Sequence, residues 1–194
     1  MIRAFVGLPL PREYQELLGE LRRAWNNRFR TKLGWTRQGN WHLTLKYLGE
    51  CTLEEIADVK QALSMVAFRS FRIQGGGGGC FPPLEGERAR PRVVWVGLKQ
   101  GGPECSALAR DIEQAVEPAG FEPEKRKFSP HLTLARVKTG KNMKFHGDDP
   151  WMEKIQELNG LQWPGFEADR FILWQSVLGP GGPTYTPLAE YPGQ

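Results

Sequence analysis

The chain has 194 residues, of which 40% are hydrophobic and 25% are charged, and it carries a formal net charge of +4. This composition excludes a disordered chain and suits one folded domain with a substantial core. The mild basic excess is compatible with a phosphate-bearing partner, although many basic proteins bind no nucleic acid.

The hydrophobic pattern predicts strands and helices in mixed order along the whole chain. Their sum indicates an α+β protein with mainly antiparallel sheets and helices packed outside. In chain order the predicted elements are strand 2–8, helix 13–28, strand 42–48, helix 53–68, strand 71–74, strand 92–98, helix 104–117, strand 131–138, helix 150–158, strand 168–178 and strand 184–188.

Five consecutive glycines, Gly75 to Gly79, follow the strand at 71–74. They do not form a nucleotide triphosphate loop, because no Gly-Lys-Ser/Thr follows them. We interpret them as a bulged or irregular strand that another backbone or a ligand approaches closely.

Cysteine usage and chain hydropathy suggest where the protein works. Cys51, Cys80 and Cys105 are widely spaced, which favours neither a disulfide framework nor a zinc site. A reducing, cytoplasmic compartment is therefore expected. The first apolar run is too short for a signal peptide, and no segment approaches the length of a membrane span, so no membrane partner is expected.

The tetrapeptide His-Leu-Thr-Leu occurs twice, at 42–45 and at 131–134, and takes two of the three histidines. Side chains alternate along a strand, so each copy sends its leucines into a core and its histidine and threonine to the other face. Such a repeat can arise by chance, and a histidine on a strand is more often a half-buried structural residue than a catalytic one. Both copies, however, follow a short polar stretch and precede similar residue types, which predicts one supersecondary unit used twice. The third histidine, His146, has no such setting and is assigned to the surface.

Two facing imidazoles can act as general base and general acid, because imidazole titrates near neutrality. Thr44 and Thr133 can donate to the non-bridging oxygens of a phosphoryl group as charge builds there. Neither motif holds a carboxylate, and His-x-Thr is a poor set of metal ligands. The pattern therefore predicts a phosphodiester reaction that needs no metal or cofactor. A cyclic phosphate suits it, because ring strain lessens the need for a metal.

Five segments carry a resemblance to a known family: Arg3–Leu8, Trp41–Glu50, Arg92–Leu98, Phe128–Arg136 and Tyr185–Leu188. With its two His-x-Thr motifs, the sequence resembles the 2H phosphoesterases over nearly the whole chain. Within them it is most similar to the RNA 2′,3′-cyclic phosphodiesterases, also called 2′-5′ RNA ligases. The resemblance implies a single bilobal domain over 1–194, with two mainly antiparallel sheets related by a pseudo-twofold and facing a central cleft.

The resemblance also implies roles for the histidines. His42 would protonate the departing 3′ oxygen and His131 would activate water, giving a 2′-phosphomonoester. Because the site is nearly symmetric, these two roles could be exchanged. The reverse reaction would join a cyclic phosphate end to a 5′-hydroxyl through a 2′-5′ bond. The expected partner is RNA or a nucleotide with a 2′,3′-cyclic phosphate end, and the protein is expected to be a monomer without an obligatory protein partner.

Two further residues are possible substrate contacts. Arg136 lies just beyond the second motif and could bind phosphate, or could be an exposed charge at a strand end. Tyr185 matches a family position near the cleft, or could simply pack in the core. The chain departs from its relatives at 174–176 and 179–183, where they often carry a basic or serine-rich segment. An RNA-binding or nucleotide-binding module without turnover remains the alternative function.

Overall fold

The computed structural model describes residues 1–84, 90–140, 143–180 and 182–194. Over these ranges the chain forms nine strands and four α-helices. The strands are β1 Ile2–Pro9, β2 Leu33–Trp35, β3 His42–Cys51, β4 Phe71–Phe81, β5 Val93–Gln100, β6 Leu132–Val137, β7 Gly165–Ala168, β8 Arg170–Gly179 and β9 Gly182–Pro192. The helices are α1 Arg12–Trp25, α2 Leu53–Ser64, α3 Gly102–Val116 and α4 Trp151–Gly160.

The helices form where the pattern predicts them, but α1 and α2 end three and four residues earlier than predicted, and α3 ends one residue earlier. A capping box starts α2, because the Glu55 N–H donates to Thr52 Oγ1 at 3.1 Å and the Thr52 N–H donates to Glu55 Oε2 at 2.7 Å. The helix ends at Ser64, and the chain then turns so that Phe68 packs against Phe171 with ring centroids 5.7 Å apart. No described helix is long and apolar enough to cross a bilayer.

All strand pairings in the described chain are antiparallel, which confirms the predicted α+β class. One half of the sheet has the strand order β3-β1-β8-β9 and the other has the order β7-β4-β5-β6. The short strand β2 pairs with residues 135–137 at the end of β6. The halves meet where β3 pairs with β6, through Leu43 and Leu132. The two predicted sheets are thus halves of one sheet joined at a narrow seam. The predicted turn at 179–183 includes Gly181, which lies outside the described residues.

The chain builds the two halves with one repeated order of elements. The order β1-α1-β3-α2-β4 is followed by β5-α3-β6-α4-β8, and the last strand of each unit joins the opposite half. The same bulge recurs in both units: the pairing of β1 with β3 skips Leu45, and the pairing of β5 with β6 skips Leu134. This topology agrees with the predicted unit used twice.

The leucines of both motifs lie in the core. Leu43, Leu45, Leu132 and Leu134 are at most 4% exposed and share one cluster with apolar residues of all four helices. The helices therefore cover the leucine face of the motif strands, which leaves the histidine and threonine face for a cleft.

The glycine run lies inside β4 and is bulged, as predicted. The pairing with β5 skips from Gly75 to Gly78, and Gly77 between them has a φ of +71°. A side chain at Gly79 would place its Cβ 2.4 Å from the Trp95 ring. The glycines thus permit the close approach of neighbouring side chains.

Candidate active site

A cleft of about 2420 Å³ lies over the seam where the halves of the sheet meet. The cleft collects every residue predicted to act: His42, Thr44, Tyr185, His131, Thr133 and Arg136 all line it. His146 does not belong to this lining and is half-buried elsewhere. Among the described residues, no group of three or more His, Cys, Asp or Glu side chains is placed to hold a metal ion.

His42 is fixed at both ring nitrogens. Its Nδ1 lies 2.8 Å from the carbonyl oxygen of Asn40, and its Nε2 lies 3.0 Å from Thr44 Oγ1. A carbonyl oxygen only accepts hydrogen bonds, so the neutral ring carries its proton on Nδ1. Nε2 then holds the lone pair and accepts from the Thr44 hydroxyl.

His131 repeats the first half of this arrangement. Its Nδ1 lies 2.7 Å from the carbonyl oxygen of Ser129, again two residues earlier in the chain. The same reasoning puts the proton of the neutral ring on Nδ1 and leaves Nε2 free to exchange protons. Each motif therefore presents one histidine in one tautomer.

Both imidazoles are harder to protonate than free histidine. Burial lowers the pKa of His42 to about 4, against the opposing effect of the Asn40 carbonyl, and the charges of Arg136 and His131 lower it further. Burial also lowers the pKa of His131, opposed by the Ser129 carbonyl and reinforced by Arg136. In the free protein at pH 7 both rings are thus neutral.

Aromatic side chains cause much of this burial around His42. The rings of Phe5, Tyr185 and Trp174 have centroids 4.6, 5.2 and 5.7 Å from that of His42. Such contacts shield the imidazole from water, which penalises its charged form.

The second histidine has its own aromatic wall. The centroids of Phe81 and Trp95 lie 5.1 and 6.3 Å from that of His131. None of these four aromatic residues, Phe5, Phe81, Trp95 and Trp174, was predicted from the sequence to belong to the site. Strand alternation could have found two of them, because Phe5 and Trp95 each precede a buried residue of a predicted strand and must face the other way.

Arg136 and Tyr185 both stand in the cleft wall. Arg136 is exposed, and its charge lowers the pKa of both histidines. Tyr185 is half-buried and sets its ring nearly perpendicular to His42, at 88°. Their contact with a substrate stays a prediction.

A polar clamp that the sequence did not suggest holds the residues before His42. Gln15 of α1 accepts the Gly39 N–H and donates to the Trp41 carbonyl, both at 2.9 Å. Between these points, the Asn40 side chain donates to the Pro183 carbonyl of β9 at 2.7 Å. Asn40 thus connects the carbonyl that orients His42 with the hairpin that carries Tyr185.

Comparison with known proteins identifies the relatives of this chain. The family described as LigT like Phosphoesterase matches twice, over residues 8–95 and 96–185, so each match contains one motif. An Aeropyrum pernix protein named RNA 2′,3′-cyclic phosphodiesterase is 36% identical over 152 residues, or 78% of this chain and 81% of the relative. A protein of the same name from Aquifex aeolicus is 27% identical over 98% of this chain and 97% of its own length.

Solved structures share the fold over the whole chain. The protein TT0787 of Thermus thermophilus superposes with a TM-score of 0.75 at 26% identity and is covered completely, as is this chain. LigT of Escherichia coli, solved with 3′-AMP, superposes with a TM-score of 0.76 at 23% identity, over 100% of this chain and 98% of LigT.

Proposed function

We propose that this chain, which belongs to the LigT-like phosphoesterase family, hydrolyses the 2′,3′-cyclic phosphate end of RNA or of a nucleotide to a 2′-phosphomonoester without a metal ion. One observation carries the proposal: two histidines line one cleft, and each has Nδ1 committed to a backbone carbonyl, so that Nε2 is the nitrogen left for proton transfer. Within the part of the chain that the structure describes, Nε2 of His42 meets only the Thr44 hydroxyl, and Nε2 of His131 is free. The names of the relatives from Aeropyrum pernix and Aquifex aeolicus support the same reaction.

The proposed chemistry moves one proton at each histidine. Water attacks phosphorus and gives a proton to Nε2 of His131, while the bond from phosphorus to the 3′ oxygen breaks. Nε2–H of His42 protonates the departing 3′ oxygen, which leaves a 3′-hydroxyl and a 2′-phosphate. Since the two sites are alike, the donor and acceptor could be exchanged without changing the products.

The negative charge of the bound substrate helps one histidine to carry the proton that the donor must give. An anionic phosphate between the histidines opposes the effect of Arg136 and raises the pKa of a neighbouring imidazole. One of the two histidines can then hold a proton at neutral pH. The hydroxyls of Thr44 and Thr133 would donate to the non-bridging oxygens, with Arg136 beside the phosphate and Tyr185 beside the nucleoside.

The test is hydrolysis of an RNA oligomer that ends in a 2′,3′-cyclic phosphate, with EDTA present and the position of the product phosphate resolved. We expect a 2′-phosphate product. His42→Ala and His131→Ala should each lower kcat by at least about 100-fold, a typical contribution of general acid–base catalysis, while RNA binding persists. Binding without turnover in the parent protein would instead support an RNA-binding module.

Ligation needs a separate assay. A 5′-hydroxyl can take the place of the attacking water while the 3′ oxygen leaves as before, so excess RNA with a 5′-hydroxyl should yield a 2′-5′ linked product. If no such product forms while hydrolysis proceeds, ligation is not an activity of this protein.

A further inference from the structure

A buried ammonium group lies four residues beyond His42 on the same strand. Lys46 is 7% exposed, and its Nζ donates to Glu113 Oε1 at 2.8 Å and to the Glu122 carbonyl at 2.7 Å. The corresponding position of the second unit is Ala135, which pairs with Val94 as Lys46 pairs with Val6. Burying an ammonium costs desolvation free energy that alanine avoids, so the repeat and its packing do not explain this lysine.

The partner carboxylate holds the same stretch of chain at a second point. Glu113 of α3 also accepts the Glu124 N–H on Oε1, at 2.8 Å. Burial alone would raise the pKa of Glu113, but the hydrogen bonds from Lys46 and Glu124, together with the charge of Lys46, lower it below its usual value. Glu113 is therefore ionised at neutral pH, and the pair fixes the carbonyl of residue 122 and the N–H of residue 124.

The stretch so fixed leads to the second histidine. Residues 120–131 form neither helix nor strand, and they end with the Ser129 carbonyl that accepts from His131 Nδ1. The other anchors lie mainly near its ends: Phe121 and Phe128 pack on the core, and the Phe121 N–H donates to the Val116 carbonyl at 3.4 Å. Between them the Arg126 N–H donates to Glu124 Oε1 at 3.3 Å, within the stretch itself. Its exposed middle thus depends on both of its ends for its position.

The same bonds also cross the seam of the sheet. In the described chain, β3 and β6 pair through Leu43 and Leu132 alone. Lys46 adds a polar connection from the strand that carries His42 to the chain that carries His131. It stands beside the bonds that Thr36, ahead of β3, makes to the carbonyls of Thr133 and Leu134.

We propose that Lys46 and Glu113 are positioning residues, which set the place and orientation of His131 relative to His42 through the stretch 122–130. Neither acts on the reacting atoms. Only the activity measurements below depend on the proposed function.

The first test is Lys46→Met, which keeps most of the aliphatic stem and removes the ammonium. For a cyclic mononucleotide we expect kcat to fall by about tenfold or more, because small displacements of a reacting group are costly. KM for this substrate should change less than about twofold, since Thr44, Thr133 and Arg136 are unchanged. By NMR titration, the pKa of His131 should move toward the ordinary value of 6.5 as the stretch loosens and admits water. The pKa of His42 should not move.

Two further variants complete the test. Glu113→Gln keeps an acceptor oxygen for the Glu124 N–H, so it should shift His131 and kcat in the same direction by less, and it decides the matter if Lys46→Met does not fold. Arg12→Met breaks the exposed Arg12–Glu16 ion pair of 2.7 Å and should change nothing.

Two results would overturn the proposal. One is unchanged kcat and an unchanged His131 titration in both Lys46→Met and Glu113→Gln. The other is an equal shift of both histidines, which would indicate a general loss of structure. Because the titrations need no substrate, a parent protein without turnover would sink the proposed function and leave this inference to be decided by the NMR result.

Discussion

Each candidate catalytic histidine offers a single nitrogen to the cleft, because a backbone carbonyl two residues earlier accepts from the other. The pair therefore exchanges protons through its two Nε2 atoms, and the pKa values of the two rings determine the pH at which one of them is protonated. Both pKa values lie below 6.5, and that of His42 is about 4. The free protein therefore holds one proton on the pair only in acidic solution.

The resulting prediction concerns kcat/KM, which reports ionisations of the free protein. A reaction with one acid and one base requires the singly protonated pair, so kcat/KM should peak below pH 6.5. Above the higher pKa it should fall by about tenfold per pH unit. A profile measured from pH 4 to pH 9 checks this, and a plateau from pH 6.5 to pH 9 would contradict it.

Arg136 offers a second test at the same scale. Its charge lowers the pKa of both histidines, so Arg136→Gln should raise both and move the falling limb of kcat/KM to higher pH. If the guanidinium also contacts phosphate, KM rises as well. Arg69→Gln, which removes an exposed cation outside the cleft lining, is the matched control and should leave the limb in place.

Among the elements, β4 shows how a glycine within a strand can affect the candidate active site. Gly79 leaves room for the ring of Trp95, and Trp95 in turn lies beside His131. A larger residue at 79 must push this ring toward the cleft or force the strands apart.

Gly79→Ala should therefore lower both stability and activity. Its Cβ would lie 2.4 Å from the Trp95 ring, and such overpacking costs typically about 1–3 kcal/mol. Gly160→Ala is the control, because nothing lies within 4 Å of its Cβ and its φ is not positive, so it should lower neither stability nor activity. Urea unfolding and kcat/KM of both variants provide the measurement, and an unchanged Gly79→Ala protein would refute the argument.

The elements also show what the sequence could predict. Strand alternation placed the leucines of both motifs in the core and His42, Thr44, His131 and Thr133 opposite them, because that period is local. The three-residue β2 and four-residue β7 were missed, since such short strands carry almost no periodic signal.

Contacts between distant residues were beyond sequence reasoning for a different reason. Gln15 meets Gly39 and Trp41, and Lys46 meets Glu113, only after the sheet and helices have assembled. In the sequence, a polar or charged helix residue that will pair with a distant residue looks the same as one that will face solvent.

For the whole molecule, the two tetrapeptides predicted the internal repeat, but they did not predict how the two halves of the sheet join. The exchange of β4 and β8 between halves places one motif strand of each unit at the seam. This exchange depends on long-range pairing, which no local pattern encodes.

The charge of the molecule is concentrated where a polyanion would bind. The described lining of the cleft holds ten Lys and Arg side chains and three Glu, whereas the whole chain has a net charge of only +4. The basic members are Arg3, Lys46, Arg90, Arg92, Arg110, Lys125, Arg126, Lys127, Arg136 and Lys138. Of these, Lys46 is buried and paired with Glu113, so the remaining nine are the ones that face a bound polyanion. Such a lining attracts phosphates well beyond the one that reacts.

This asymmetry predicts how salt affects the reaction. For an RNA oligomer with a cyclic phosphate end, kcat/KM should fall steeply between about 50 and 200 mM salt, because each neutralised phosphate releases counterions on binding. A cyclic mononucleotide meets few of these cations and should show a much shallower slope. The slopes of log kcat/KM against log salt for the two substrates provide the comparison, measured at one pH below 6.5. Equal slopes would mean that only the reacting phosphate is bound and that the rest of the basic lining serves solubility alone.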